Sequence, residues 1–194
     1  MQLSPLLSCI DGRSSDVVPR LVALEFPKAR TYLDPTWGHG NFWTTHPSCL
    51  IRGDRARERA KDVCLDFRAL PFLDAAFDVV VFDPPFQPAT VDGVIGRHFS
   101  KPVKGITGLR SLVEAGLQEC WRVCKQGMVV KVQDYIHDHK PVWMSLWVHQ
   151  ALGEPWDFLV LRSTGKPIAK NWTRQLSVWR NHSTFWVYAK NARR

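Results

Sequence analysis

The sequence predicts a single α/β domain: a mostly parallel seven-stranded sheet with helices on both faces and a final antiparallel hairpin. Short runs rich in β-branched and aromatic residues recur along the chain, alternating with stretches of helical periodicity. Two of those runs end on an aspartate followed by proline or glycine turn chemistry, Asp34-Pro35-Thr36-Trp37-Gly38-His39-Gly40 and Asp83-Pro84-Pro85-Phe86. That is how parallel strands of an open α/β sheet hand over to ligand-binding loops. At 194 residues the chain is long enough for one such domain with a proper core and too short for two.

Composition narrows the class further. The formal net charge is +8, which favours an anionic partner. From Phe158 to Arg194 there is no Asp or Glu, while Arg162, Lys166, Lys170, Arg174, Arg180, Lys190, Arg193 and Arg194 are all cations. Such a segment reads as a phosphate-binding face or as a solvated surface. The five cysteines form no Cys-x-x-Cys pair, so neither a metal site nor a disulfide framework is indicated, and Cys120 and Cys124 read as core-facing helix positions. No apolar run of membrane-spanning length and no leader-like segment occurs, which leads to the expectation of a cytoplasmic protein.

Met1 to Asp11 shows little periodicity. Ser14 or Ser15 caps a helix reaching about Phe26, with Val17, Val18, Leu21, Val22 and Leu24 on one face, and Pro27 ends it. Thr31 to Leu33 is a short strand that delivers Asp34, Pro35, Gly38 and Gly40, where glycines two apart let the backbone turn and approach a ligand before a helix begins near Asn41. The next strand, Cys49 to Arg52, delivers Asp54, placed as the acidic residue that accepts ribose hydroxyls in dinucleotide-binding folds. Arg55 to Lys61 is a basic helical turn, and Val63 to Leu65 is a third strand delivering Asp66 and Phe67.

Val79 to Phe82 reads as a buried parallel strand. Residues 87–108, rich in proline and glycine, read as a lid and target-binding loop, with Arg97, Lys101 and Lys104 as phosphate contacts. Leu109 to Val123 is an amphipathic helix closed by Gly127. Met128 to Val132 is the fifth strand, in which Lys131 is expected to reach the sheet edge rather than the core. A helix over Val142 to Leu152, capped by Gly153, leads to strands at Trp156 to Leu161 and Thr184 to Ala189. Between these two, residues 162–183 carry Lys166, Lys170, Trp172, Arg174 and Arg180. Aromatics among cations suit base stacking and phosphate contact, and equally suit a basic hairpin packed on the sheet edge.

The chemistry concentrates after Phe82. Pro84 and Pro85 cannot donate to a ladder and fix their own φ, so the strand must stop and leave a stiff shelf. It carries the Asp83 carboxylate, a carbonyl and the Phe86 ring. An amine on a planar ring can stack on Phe86 and direct both N–H bonds at Asp83 and the Pro84 carbonyl, which frees the nitrogen lone pair for attack on an electrophile.

Asp83-Pro84-Pro85-Phe86 resembles the [DNS]-P-P-[YFW] motif of S-adenosylmethionine-dependent amino-methyltransferases. Asp34-Pro35-Thr36-Trp37-Gly38-His39-Gly40 resembles the cofactor-binding D-P-x-x-G-x-G of class I methyltransferases. Asp54, Asp66 and Phe67 follow in the family's order, and the chain is most similar to the small phage and prophage DNA adenine methyltransferases, including Lys131-Val132-Gln133-Asp134 and Arg180-Asn181-His182-Ser183. The resemblance implies a Rossmann-like class I methyltransferase domain over residues 1–194. It implies S-adenosyl-L-methionine as cofactor, held by Asp34, Pro35, Gly38, Gly40, Asp54, Asp66 and Phe67, with Asp66 on the adenine amine and Phe67 on the ring. The catalytic residues would be Asp83, Pro84, Pro85 and Phe86, the partner nucleic acid and first of all DNA, and the reaction methylation of adenine N6. RNA adenine or guanine amino-methyltransferases, protein lysine methyltransferases and a non-catalytic nucleic-acid-binding module are the rival readings. A ring-carbon cytosine mechanism is disfavoured, because no cysteine follows a proline.

Overall fold

A computed structural model describes residues 5–88, 105–163 and 180–190. Their strands form an eight-stranded sheet in the order β1-β9-β10-β6-β5-β2-β3-β4. These are β1 (Cys9–Asp11), β2 (Tyr32–Asp34), β3 (Leu50–Asp54), β4 (Val63–Cys64), β5 (Phe77–Phe82), β6 (Cys124–Val132), β9 (Asp157–Arg162) and β10 (His182–Ala189). All pairings in this sheet are parallel except those of β10, which runs antiparallel to both β6 and β9. The result is the expected Rossmann-like α/β fold, with β9 and β10 as the final antiparallel pair. Strand order reverses between β2 and β5: from β2 the chain moves outward to β3 and β4, and from β5 it moves the other way to β6. Ligands of open α/β sheets bind at the carboxyl ends of strands beside such a reversal.

Period-two alternation assigns the faces. Val79 and Val81 of β5 pack with Val129 of β6 and with Val17, Val18, Leu21 and Val22 of α1 (Ser14–Glu25). Val80 and Phe82 pack on the opposite face with Met128, Val130 and Val132, beneath α2 (Gly105–Val123) and α3 (Met144–Leu152). Both faces of β5 are covered, so its run of apolar residues is continuous.

Inside α1, Pro19 cannot donate to the Ser15 carbonyl. The Thr44 hydroxyl donates to that oxygen at 3.0 Å and restores the lost bond. On the other face, Arg122 of α2 binds Glu119, Asp74 and the carbonyls of Leu70 and Phe72, while Glu119 accepts the Leu70 N–H. This pins the segment before β5 against α2.

Several expectations are corrected. No helix begins at Asn41: residues 41–49 are turns, because the Trp43 N–H returns to the Gly40 carbonyl and its indole reaches back to Asp34, while Pro47 closes the segment. Helix α2 starts at Gly105, so residues 105–108 belong to it and not to a loop; packing of Ile106 and Leu109 outweighs the roughly 1 kcal/mol cost of a helical glycine at Gly108. That helix runs directly into β6 at Cys124, and Gly127 lies within the strand. Two features were not expected: β1, which adds an eighth strand on β9, and a separate antiparallel pair, β7 (Tyr135–His137) with β8 (Lys140–Val142). Lys131 is not at an edge, since β6 is flanked by β5 and β10.

Helix α2 approaches β5 at Gly116, where a Cβ would lie 2.6 Å from the Phe82 ring and 2.7 Å from the Phe67 ring. Both rings are buried and cannot yield. Gly116→Ala is expected to lower unfolding free energy by about 1–2 kcal/mol, overpacking exceeding the helix gain of about 1 kcal/mol. Urea unfolding measures this, and an unchanged or higher midpoint would refute it.

Candidate active site

Three central strands bring one polar side chain each to the same corner. Asp34 ends β2, Asp83 follows β5, and Lys131 stands near the end of β6. Each shares the face of Val79, Val81 and Val129 by alternation. Asp34 is 2% exposed. Its Oδ1 accepts the Thr36 N–H at 3.0 Å and the Thr36 hydroxyl at 3.2 Å, and its Oδ2 accepts the Trp43 indole N–H at 2.9 Å. The same Thr36 hydroxyl accepts the Asp83 N–H at 3.0 Å, so one side chain bridges the ends of β2 and β5. Burial pushes the Asp34 carboxyl up to about 7, against the pull of its Trp43 and Thr36 hydrogen bonds.

Asp83 stands where the strand stops. Its Oδ2 lies 3.5 Å from Lys131 Nζ, and its Oδ1 is buried without a partner among the described residues. The side chain as a whole is 28% exposed, so the burial is that of one oxygen. Burial pushes its pKa up, and the Lys131 charge and hydrogen bond pull it back. Pro84 is buried, while Pro85 and Phe86 are half-buried. Lys131 Nζ sits 4.9 Å from the Phe86 ring centroid and 5.1 Å from that of Phe42, a cation held between two aromatic faces. Sequence reasoning missed Lys131, Thr36 and Trp43 as parts of this corner.

The glycine loop lies beside it. Gly38 and Gly40 have φ of +55° and +75°, the left-handed region that glycine tolerates. A Cβ on Gly40 would strike the Trp37 ring at 2.8 Å, whereas one on Gly38 would meet only the Thr36 carbonyl at 3.7 Å. Pro35 is buried behind the turn. Asp54, at the end of β3, accepts the Gly38 N–H at 2.8 Å and the Ala56 N–H at 2.7 Å, tying the loop to the next strand.

Two expected cofactor residues are differently engaged. Asp66 binds the Arg68 guanidinium and backbone N–H and lies 3.7 Å from Arg55, with the Arg68 hydrogen bond holding its carboxyl below the ordinary value. Phe67 is turned into the core, 8% exposed and edge-on to Phe82 at 5.3 Å, rather than open to a ligand ring.

A cleft of about 630 Å³ opens from Lys131 and Gln133 toward Ser14 and Ser15 at the start of α1, with Arg180 and His182 on its far side. Arg180 lies 5.8 Å from the centroid of Trp143. Of the expected nucleic-acid contacts, only Arg180 falls here; Arg97, Lys101, Lys104, Lys166, Lys170, Trp172 and Arg174 lie outside the described residues. Asp134 is structural, accepting the N–H and hydroxyl of Ser145 at the start of α3. No cluster of potential metal ligands occurs among the described residues, and none of their helices is long and apolar enough to cross a membrane.

No protein-family model and no curated sequence matches the chain. Among solved structures it is similar to TTHA0409 of Thermus thermophilus complexed with S-adenosyl-L-methionine, with TM-score 0.44 and 10% identity over 66% of this chain and 54% of that one. It thus spans about half the length of that relative. The PH0226 protein of Pyrococcus horikoshii gives 0.49 and 16% over 90% of this chain and 88% of that one. An rRNA methylase of Streptococcus thermophilus gives 0.48 and 11% over 92% of this chain and 97% of that one. At these scores and identities none of the three lends a residue role or a substrate to this chain.

Asp34 gives the site a pH signature. A carboxyl whose native pKa is raised binds more protons when folded, so its stabilising contribution is greatest below the unfolded value near 3.8 and is lost as pH rises through about 7. Asp83 acts in the same sense, whereas Asp62, Asp66, Asp78 and Glu119, all held below their ordinary values, act oppositely and only at more acid pH. Unfolding free energy measured in urea is therefore expected to fall between about pH 5 and pH 7.5. The fall shrinks in Asp34→Asn; an equal slope in that variant would refute the assignment.

Proposed function

We propose that the protein transfers a methyl group from S-adenosyl-L-methionine to an exocyclic amine of a nucleobase, adenine N6 in DNA first among them. The observation that carries this reading is Asp83 Oδ1, a buried acceptor with no donor among the described residues, at the strand reversal and beside Phe86. A buried acceptor without a partner costs about 1–3 kcal/mol, and an amine N–H from a base stacked on Phe86 would relieve it.

The residues of the first loop fit the proposed cofactor. Gly38 holds a left-handed turn with only the Thr36 carbonyl near its missing Cβ, Asp54 presents a carboxylate at the next strand end, and Asp34 and Pro35 support the turn from behind. Asp66 would serve the cofactor only by exchanging Arg68 for the adenine amine, and Phe67 would serve as packing beneath it. Bound there, S-adenosylmethionine supplies the electrophilic methyl group.

The chain's own residues do the positioning. Asp83 and the Pro84 carbonyl accept the two amine protons and turn the nitrogen lone pair outward, an arrangement stabilised more in the transition state than in the ground state. Phe86 fixes the plane of the ring. The methylated nitrogen is acidic, and its proton passes to Asp83 or to water. A duplex target has to be flipped, at a cost of a few kcal/mol that stacking and phosphate contacts offset. Residues 1–194 form one methyltransferase domain in this reading, with 87–108 and 162–183 supplying target contacts that include Arg97, Lys101, Lys104, Lys166, Lys170, Trp172, Arg174 and Arg180.

The test is transfer of radiolabelled methyl to matched duplex DNA, single-stranded DNA and RNA, followed by nucleoside analysis. Methyladenine in DNA is expected, with turnover reduced about 10²–10³-fold in Asp83→Ala. Label confined to RNA would replace the substrate, and absence of label despite cofactor binding would overturn the reading.

A further inference from the structure

Lys131 is a group in this corner that neither composition nor the proposed reaction requires. It is a cation on a central strand, 15% exposed, in a position where an apolar residue would complete the face of Val129. A partly buried ammonium loses hydration and must be compensated, and here the compensation is specific: Asp83 Oδ2 at 3.5 Å and the faces of Phe86 and Phe42 at 4.9 and 5.1 Å. Asp83 and Phe86 are the two partners, carboxylate and ring, that a planar amine on the shelf would need. Lys131 also lines the cleft beside the shelf, so its flexible stem has somewhere to go.

Resting on the nucleobase reading above, we propose that Lys131 is a positioning residue that holds Asp83 and Phe86 in the arrangement a target amine requires and occupies that amine's place until a nucleobase displaces it. In the free protein its N–H donates to the oxygen next to the unpartnered Oδ1, so the carboxylate is never left as an uncompensated buried charge. When a base enters to stack on Phe86, its amine donates to Oδ1 and the ammonium leaves the ring face for the cleft, where Gln133 and the start of α1 stand. Lys131 touches no reacting atom; it acts through Asp83.

Among the described residues, the charged groups facing Asp83 are few. Asp34 faces it from the end of β2 and Lys131 from β6, and the Thr36 hydroxyl holds its backbone N–H. Removing the lysine takes away the charge and the hydrogen bond that hold the Asp83 carboxyl down against its burial.

Two measurements decide the proposal. In the ligand-free protein, the Asp83 carboxyl is titrated by carbon-13 NMR, its signal assigned by loss in Asp83→Asn. The midpoint is expected to rise in Lys131→Met and to return toward the native value in Lys131→Arg; an unchanged midpoint in the Met variant overturns the positioning role. Lys131→Gln replaces the Met variant if circular dichroism shows the latter unfolded. Then affinities are compared for a single-stranded oligonucleotide carrying one adenine and the same strand with an abasic position, a ratio that cancels phosphate attraction. If Lys131 holds the amine's place, the ratio rises about threefold to tenfold in Lys131→Met, the worth of one net hydrogen bond. A ratio that is unchanged or lower overturns the displacement. If the native protein binds neither strand, the nucleobase reading fails and the displacement with it, while the titration still decides whether Lys131 governs Asp83.

Discussion

The Thr36 hydroxyl holds the molecule's chemical corner together. It donates toward the Asp34 carboxylate and accepts the Asp83 N–H, so the ends of β2 and β5 are joined where strand order reverses. Two aspartates in neighbouring positions would repel one another and resist burial. The surroundings answer each differently. Burial favours the neutral form of Asp34 against the pull of its donors from Trp43 and Thr36, whereas Asp83 faces a cation and, among the described residues, retains one open acceptor. Burial raises both carboxyls, and their partners divide their roles, one supporting the turn and the other available to a ligand.

Much of the fold was legible because it follows from patterns local in sequence. The continuous apolar run before Asp83 identified a central strand, and Pro84-Pro85 fixed where it ends. Paired glycines after β2 announced a sharp turn, and both adopt positive φ there. What stayed hidden depends on partners remote in sequence. Strand β1 exists through pairing of Cys9, Ile10 and Asp11 with Val160, Leu161 and Arg162, and three residues carry too little pattern to announce that. Lys131 among valines could as well have snorkelled from an edge, and only the strand order places it beside Asp83. The helix expected at Asn41 failed because Trp43 has a buried acceptor to reach, a tertiary demand that overrides local preference. Phe67 was assigned to a ligand by the order of motifs, yet its register turns it beneath α2 at Gly116.

The two sides of the reversal differ in character. On the β2–β3 side, backbone dominates: glycine φ values, and an Asp54 carboxylate that gathers amide N–H groups. On the β5–β6 side, side chains dominate, with a carboxylate, a cation and aromatic faces opening into a cleft with Arg180 on its wall. A backbone-built loop tolerates little change and suits an invariant small molecule. A wall of long side chains can re-pose, which suits a bulkier ligand arriving by one of its parts.

Strand β10 comes after every other strand of the sheet in chain order, yet it lies inside the sheet, between β6 and β9. Strands β9 and β1 reach the remaining five only through it. During vectorial synthesis the strands from β2 to β6 can pair as they emerge, while β9 and β1 have no bonded route to them until residues 182–189 follow. The cleft shares this dependence, since its walls come from β6 on one side and from β9, the start of β10 and the turn into α1 on the other. A nascent chain could therefore assemble its glycine loop and its proline shelf while the cleft beside them was still unbuilt. Ligand binding there would wait on the closing strand.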